Sequence, residues 1–395
     1  MSLTCLPRRV SQSLRVLEPC FRHRHQLVCS WLLVLHLVDG ERATLKALAR
    51  HGPAPLAYQH DRRLLGSASW RTKTSLGWLV DRAVQAFPPP EEGVLYVVGD
   101  STLKGQRGPQ HPVAHNTRLS HDHPYGFGVR IVTLMAQWHV YRIPVDFALV
   151  RRTDDPAYQT ENALLRQLLQ AFRRPAWCQE VVVVADAAYT SRATLALIQP
   201  QGYWYVRAPP RPWKFANGKA LKALVTHLPR WKSAQIRMPT VNTQRRRTFW
   251  ASAKRARLRH LGDVTVVRST CRRNEGPKQT NILVTHLPET VTAREVVGVY
   301  WRRWWVELLC KELTGVVGRG QHQVTQKPDR VERSVAVAST AYLLLLKLRA
   351  HDVPADRPWS AFRLHRTFAW EVIQAQCERS ACQMARKWLR LGNAA

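Results

Sequence analysis

A chain of 395 residues is long enough for two or three domains with a sizeable core, and its 45% hydrophobic content excludes a largely disordered protein. Lys and Arg number 60 against 27 Asp and Glu, a net charge of +33. That excess calls for a polyanionic partner: nucleic acid is the first expectation and an anionic membrane surface the rival.

No apolar run reaches the ~18–20 residues that cross a bilayer, since residues 27–38 and 335–346 are short and carry polar breaks. The first of these comes late and lacks a cleavage-like site, so no signal peptide is expected and the chain reads as intracellular. Eight scattered cysteines imply free thiols. The spacing of Cys20, His23, His25 and Cys29 fits no common zinc finger, and Cys377 and Cys382 read as helix-packing residues.

Residues 1–92 read as a helical domain. Helices are expected over 27–38, 44–50 and 57–65, each closed by a glycine-containing turn. Such short helices suit a helix-turn-helix reader of DNA or a plain bundle. The proline run at 88–90 then marks a linker.

From residue 94 the pattern changes. Residues 94–102 form an apolar run that ends on Asp100, the form of a buried central strand. Lys104 opens a basic, glycine-rich loop without the spacing of a phosphate-binding P-loop. The histidines between 111 and 123 read as a solvated loop. Two strands, 125–135 and 138–150, suit a hairpin. Residues 155–172 form an amphipathic helix, with Leu164, Leu165, Leu168, Leu169 and Phe172 on its buried side. Four valines then lead to Asp186, and a helix follows over 191–199. Strands alternating with helices predict an α/β sheet.

Residues 207–260 hold fifteen Lys or Arg and no Asp or Glu, with Trp213, Phe215, Trp231, Phe249 and Trp250 among them. Arg245, Arg246 and Arg247 precede a strand over 248–253. Further strands are expected over 263–269 and 280–285, separated by a turn at 272–276. So many like charges repel unless something anionic lies against them, which points to DNA.

A single helix is expected over 292–315. With ~3.6 residues per turn, Tyr300, Arg303, Trp304, Glu307, Lys311 and Thr314 share one face. Glu295 and Glu312 are rival carboxylates on the same element. After a glycine- and glutamine-rich loop over 315–327, an apolar helix over 331–349 closes the core. One or two basic helices cover 359–391.

Two strand-end aspartates and one helix carboxylate, in a chain built to attract polyanions, have a specific chemical use. Magnesium takes oxygen ligands, and two such ions ~3.5–4 Å apart clamp the attacking and leaving oxygens of a phosphodiester. Carboxylates that close repel one another unless cations lie between them.

These residues resemble the DDE-superfamily insertion-sequence transposases, whose catalytic core is RNase H-like. The similarity is to the subgroup with a Tyr-x2-Arg-x3-Glu-x6-Lys signature. Tyr300, Arg303 and Glu307 fit that spacing, and Asp100 and Asp186 fit the first two acids. Thr314 stands where the signature has Lys, and Lys311 lies one turn earlier. The resemblance spans roughly residues 94–348. The separation of 121 positions from Asp186 to Glu307 leaves room for the β-rich insertion that relatives carry there.

The resemblance implies an RNase H-like mixed sheet flanked by helices, with a β-rich insertion and an N-terminal helical domain. The expected division is 1–92, DNA-binding; 93–206 and 290–348, the two parts of the catalytic core; 207–289, the basic insertion; and 349–395, a helical tail. It implies a DNA transposase that cuts at element ends and joins them to target DNA. Asp100, Asp186 and Glu307 would hold two Mg²⁺ or Mn²⁺ ions. Arg303, Lys311 and Lys104, with Arg245, Arg246, Arg247 and Trp250 of the insertion, would contact double-stranded DNA. Tyr300 and Trp304 would pin the DNA or a flipped base. A homodimer acting in the cytoplasm on a prokaryotic nucleoid is implied, without membrane association. A non-transposing nuclease on the same core and a catalytically inactive, domesticated DNA-binding derivative are the alternatives.

Overall fold

Two valine-rich strands fix the centre of the molecule. In the computed structural model, β1 (Val94–Gly105) and β5 (Glu180–Ala185) run parallel, with Val94 opposite Glu180 and Gly99 opposite Ala185. The structure describes residues 72–392 together with Gln12, apart from segments 106–112, 118–125, 201, 208–212, 222–233, 240–245, 272–279, 288–290, 320–326 and 353–359. The expected helices at 27–38, 44–50 and 57–65, the Cys20–Cys29 group, most of the histidine-rich segment, Arg245 and the turn at 272–276 lie outside the described residues.

On the far side of β1 lies β3 (Gly126–Trp138), antiparallel to it and joined at its start by β2 (Ala114–Thr117). The expected hairpin is present: β4 (Tyr141–Leu149) folds back on β3 through a turn where His139 takes φ +45°. β6 (Tyr203–Arg207) continues parallel to β5. The order β4-β3-β1-β5-β6 is the mixed sheet of an RNase H-like core. The basic insertion extends that same sheet. Its strands β7 (Ala234–Pro239), β8 (Arg246–Leu258), β9 (Gly262–Thr270) and β10 (Asn281–Thr285) are all antiparallel, and β10 pairs with β6.

Helices cover both faces of β1. α1 (Thr72–Ala86) buries Leu76, Val80 and Ala83 against the core, although a boundary at residue 92 assigns it to the N-terminal domain. The proline run after it is tied down too: Phe87 stacks on Tyr141 at 4.3 Å, and Trp138 donates to the Pro88 carbonyl at 2.9 Å. α2 (Glu161–Ala171) lies so close to β1 that a Cβ on Gly99 would meet Leu165 Cδ1 at 2.3 Å. Side chains alternate along a strand, so Gly99 and Ser101 face α2 while Asp100 and Thr102 face the other layer. There Thr102 donates to the Cys310 thiol at 2.7 Å.

The α2 helix begins at Glu161, not at residue 155. Thr160 caps it by accepting from the Ala163 amide, while Asp155 and the proline after it form a turn. After α3 (Arg192–Ile198), the expected single helix over 292–315 proves to be two, α4 (Ala293–Trp301) and α5 (Trp304–Gly315). α6 (Pro328–Asp352) closes the core, and the tail is one helix, α7 (Ala361–Gly392).

Candidate active site

Asp100 was expected at a strand end and instead lies within β1, opposite Thr133 of β3. The reason is that β5 stops before β1 does. Pairing with β3 carries β1 on to Gly105, whereas the pairing with β5 ends at Gly99 and Ala185. The next residue on each parallel strand is an aspartate. Neighbouring strands are ~4.8 Å apart, so the register brings Asp100 and Asp186 side by side just past the last paired residues. Each is fixed by the amide that follows it: Ser101 N donates to Asp100 Oδ1 at 2.8 Å, and Ala187 N to Asp186 Oδ1 at 2.7 Å.

The third acid comes from the other layer. Thr292 caps α4 by accepting from the Glu295 amide, and the helix ends at Trp301. Arg302 and Arg303 then form a tightened turn, with Arg303 N donating to the Tyr300 carbonyl and Trp305 N to that of Arg302, both at 3.0 Å. The two arginines diverge. Arg302 turns back to the sheet, 3.9 Å from the Tyr96 ring, and donates to Gln137 at 2.7 Å. Arg303 turns to the acids: its Nη1 lies 2.8 Å from Glu307 Oε1 and 3.6 Å from Asp100 Oδ2. Tyr300 donates to Asp186 Oδ1 at 3.3 Å. Strand β1, the end of β5 and the start of α5 thus meet at one point.

The electrostatics suit that crowding. Asp100 is raised from 3.8 to about 6, first by burial and further by Asp186 and Glu307, while the Ser101 amide and Arg303 oppose the rise. Arg303 is held above its ordinary value: burial works against its charge, and Tyr300, Asp186, Glu307 and Asp100 outweigh it. Burial, and then Asp186, push the Tyr300 hydroxyl well up.

Carboxylate oxygens are the donors a hard divalent cation takes. Among the described residues no three His, Cys, Asp or Glu are spaced as a ready metal cluster. The Arg303 guanidinium, between Asp100 and Glu307, supplies the positive charge those acids require. In chemistry, though not in their present spacing, these donors suit a divalent cation, which would have to take the place of the Arg303 guanidinium.

The rival carboxylates resolve clearly. Glu312 is buried, accepting from Arg142 at 2.7 and 3.2 Å and from Tyr342 at 2.6 Å, so it is a core ion pair. Glu295 is exposed on α4.

Beside the acids lies a cleft lined by residues that include Arg207, Arg247, Phe249, Trp301, Arg303 and Trp304. Arg247 lies 5.7 Å from the rings of both Phe249 and Trp301, and Arg303 lies 4.9 Å from that of Trp304. Of the DNA-binding candidates, Tyr300, Arg303, Trp304 and Arg247 gather here. Lys104 lies near the end of β1, Lys311 is exposed on α5 and Trp250 is half-buried on β8. Arg246 begins β8, but its side chain lies outside the described residues. Sequence reading passed over Trp301 and Arg207 as cleft residues. Trp301 sits three residues from Trp304, the spacing of one helical face, and that was the available signal.

Three acids thus come together on an RNase H-like sheet, beside a basic and aromatic cleft. The model of the family described as "Transposase DDE domain" matches residues 139–344, just over half of the chain, and the protein belongs to that family. The matched stretch includes Asp186 and Glu307; Asp100 precedes it. Among solved structures the chain is similar to a piggyBac transposase in a synaptic complex with hairpin DNA, at 9% identity and TM-score 0.50. The likeness covers 94% of this chain and 78% of that one, and it concerns the fold. No curated protein matches the sequence. The protein is a DNA transposase, with the cutting and strand-transfer activity of its family, which uses divalent metal ions.

Proposed function

We propose that Asp100, Asp186 and Glu307 are the reacting centre of this transposase and that they hold two Mg²⁺ or Mn²⁺ ions. The observation that carries this is the single guanidinium nitrogen of Arg303 reaching both Asp100 and Glu307, with Asp186 tied to the same place through Tyr300. When bound, the ions supply the charge that activates water or a 3′-hydroxyl and stabilises the departing 3′ oxygen.

The chain's own residues do the rest. Arg303 exchanges its carboxylate partners for a DNA phosphate, and Lys311 and Lys104 reach the backbone on either side. Trp304, 38% exposed, stacks on an unpaired base, with Trp301 behind it at 5.7 Å. Arg247 and the exposed basic residues of β8 hold the duplex against the insertion. The division at residues 92, 206, 289 and 348, with a DNA-binding N-terminal domain, and a homodimer gripping two element ends complete this reading.

The test uses the full chain with plasmid target, a DNA end bearing a 3′-hydroxyl, and Mg²⁺ or Mn²⁺. Wild type should nick and join, whereas Asp100→Ala and Glu307→Ala should bind DNA without cutting. Nicking without joining would favour a plain nuclease. Equal inertness of all three proteins would favour a DNA-binding derivative, the reading suggested by Thr314 in place of lysine.

A further inference from the structure

A fourth carboxylate stands directly behind the three acids, on the opposite face of the sheet. Glu161 is the first residue of α2, where the helix N-terminus favours negative charge. It binds groups from three elements at once. Arg130 of β3 pairs with Oε1, and the Tyr189 hydroxyl donates to Oε2 at 3.0 Å. The Ser101 side chain faces both Glu161 and Tyr189 from β1. Burial works against the Glu161 charge, and Ser101, Arg130 and Tyr189 outweigh it, so the carboxyl titrates below its ordinary value.

Two of these partners, Ser101 and Tyr189, lie next to an acid. Ser101 follows Asp100 and gives it a backbone hydrogen bond. Tyr189, 2% exposed, closes the turn that Asp186 caps, donating its amide to the Asp186 carbonyl at 3.0 Å. The neighbouring Asn162 donates to the Ala188 carbonyl of the same turn at 2.8 Å. β5 has ended by this point, so no ladder hydrogen bond sets the spacing of Asp100 and Asp186. A half-buried carboxylate, bonded by Tyr189 and faced by Ser101, takes over that task.

We infer that Glu161 is a positioning residue, which clamps Ser101 and Tyr189 together and so holds Asp100 and Asp186 at the separation needed to share divalent cations. The inference rests on the assignment of those two aspartates as metal ligands. Glu161 itself touches no substrate. It acts through the residues next to the ligands, and supports of this kind change metal affinity by roughly 10–100-fold.

The experiment measures Mn²⁺ binding to the full-length protein without DNA, from the electron paramagnetic resonance of free Mn²⁺, together with melting temperature. Glu161→Gln should weaken Mn²⁺ affinity by about tenfold or more. Tyr189→Phe, which keeps the ring packing, should weaken it by less. The double variant should be no weaker than Glu161→Gln alone, because both act through one link. Unchanged Mn²⁺ affinity in Glu161→Gln, even with a lowered melting temperature, overturns the inference and leaves Glu161 a structural residue. If Glu161→Gln fails to fold, wild-type affinity in Tyr189→Phe overturns it instead. Asp186→Ala separates the two layers of reasoning: if it binds Mn²⁺ like wild type, the assignment of the acids fails, whatever Glu161 does.

Discussion

Asp100 offers a test of the site that requires no element DNA. Its carboxyl faces Arg303 and Glu307 from the α5 side, Asp186 from the end of β5, and the Cys310 thiol. The rise from 3.8 to about 6 means that the folded, metal-free protein holds this proton to higher pH than the unfolded chain does. The resulting penalty is absent below about pH 4, grows between pH 4 and 6, and is complete above 6. At ~1.4 kcal/mol per tenfold in proton affinity it amounts to about 3 kcal/mol. Asn mimics the protonated carboxyl and still accepts from the Ser101 amide. Asp100→Asn should therefore raise the melting temperature of the metal-free protein at pH 8 by roughly 3–4 °C, with the gain shrinking toward zero near pH 4. Differential scanning fluorimetry across that range in chelator is the assay. Saturating Mn²⁺ should narrow the gap by stabilising wild type alone, by about 2.7 kcal/mol at a hundredfold excess over Kd. A variant no more stable than wild type at pH 8, or a gain independent of pH, would refute the reasoning.

The two glutamates of α5 should behave oppositely. Glu312→Ala strands the buried Arg142 and should cost about 3–5 kcal/mol in urea unfolding. Glu307→Ala, at a side chain 35% exposed, should change stability by less than about 1 kcal/mol while abolishing cutting. Gly99→Ala drives a Cβ into Leu165 and should destabilise by about 1–3 kcal/mol; Leu165→Ala in the same chain should recover part of that loss. Trp304→Ala should leave melting unchanged but weaken binding of DNA with an unpaired 2-aminopurine by about 1–3 kcal/mol, read as lost quenching of its fluorescence.

Much of the fold was legible because its signals are local. The valine runs before Asp100 and Asp186 announce buried parallel strands. The leucines of α2 fall at helical spacing, and the charge run at 207–260 marks the insertion. The break between α4 and α5 was not legible. Tyr300 through Glu307 has the composition of a continuous helix, and the turn is held by Arg302 reaching Tyr96 and Gln137, more than 160 positions away in the chain. Glu312 and Glu307 likewise look alike along the sequence. Only the arrival of Arg142 and Tyr342 from other elements makes one a core ion pair and leaves the other beside Asp100.

By itself, then, the sequence determined the kind of molecule: a basic chain with an α/β core and three acids at family spacing. Patterning, composition and residue spacing are properties of neighbours along the chain, and they survive in a linear reading. The tertiary structure decided which acids meet, that Arg303 stands between two of them, and that Glu161 lies behind the pair. Those relations depend on strand register and on layers packed across the sheet, where groups far apart along the chain come within hydrogen-bonding distance.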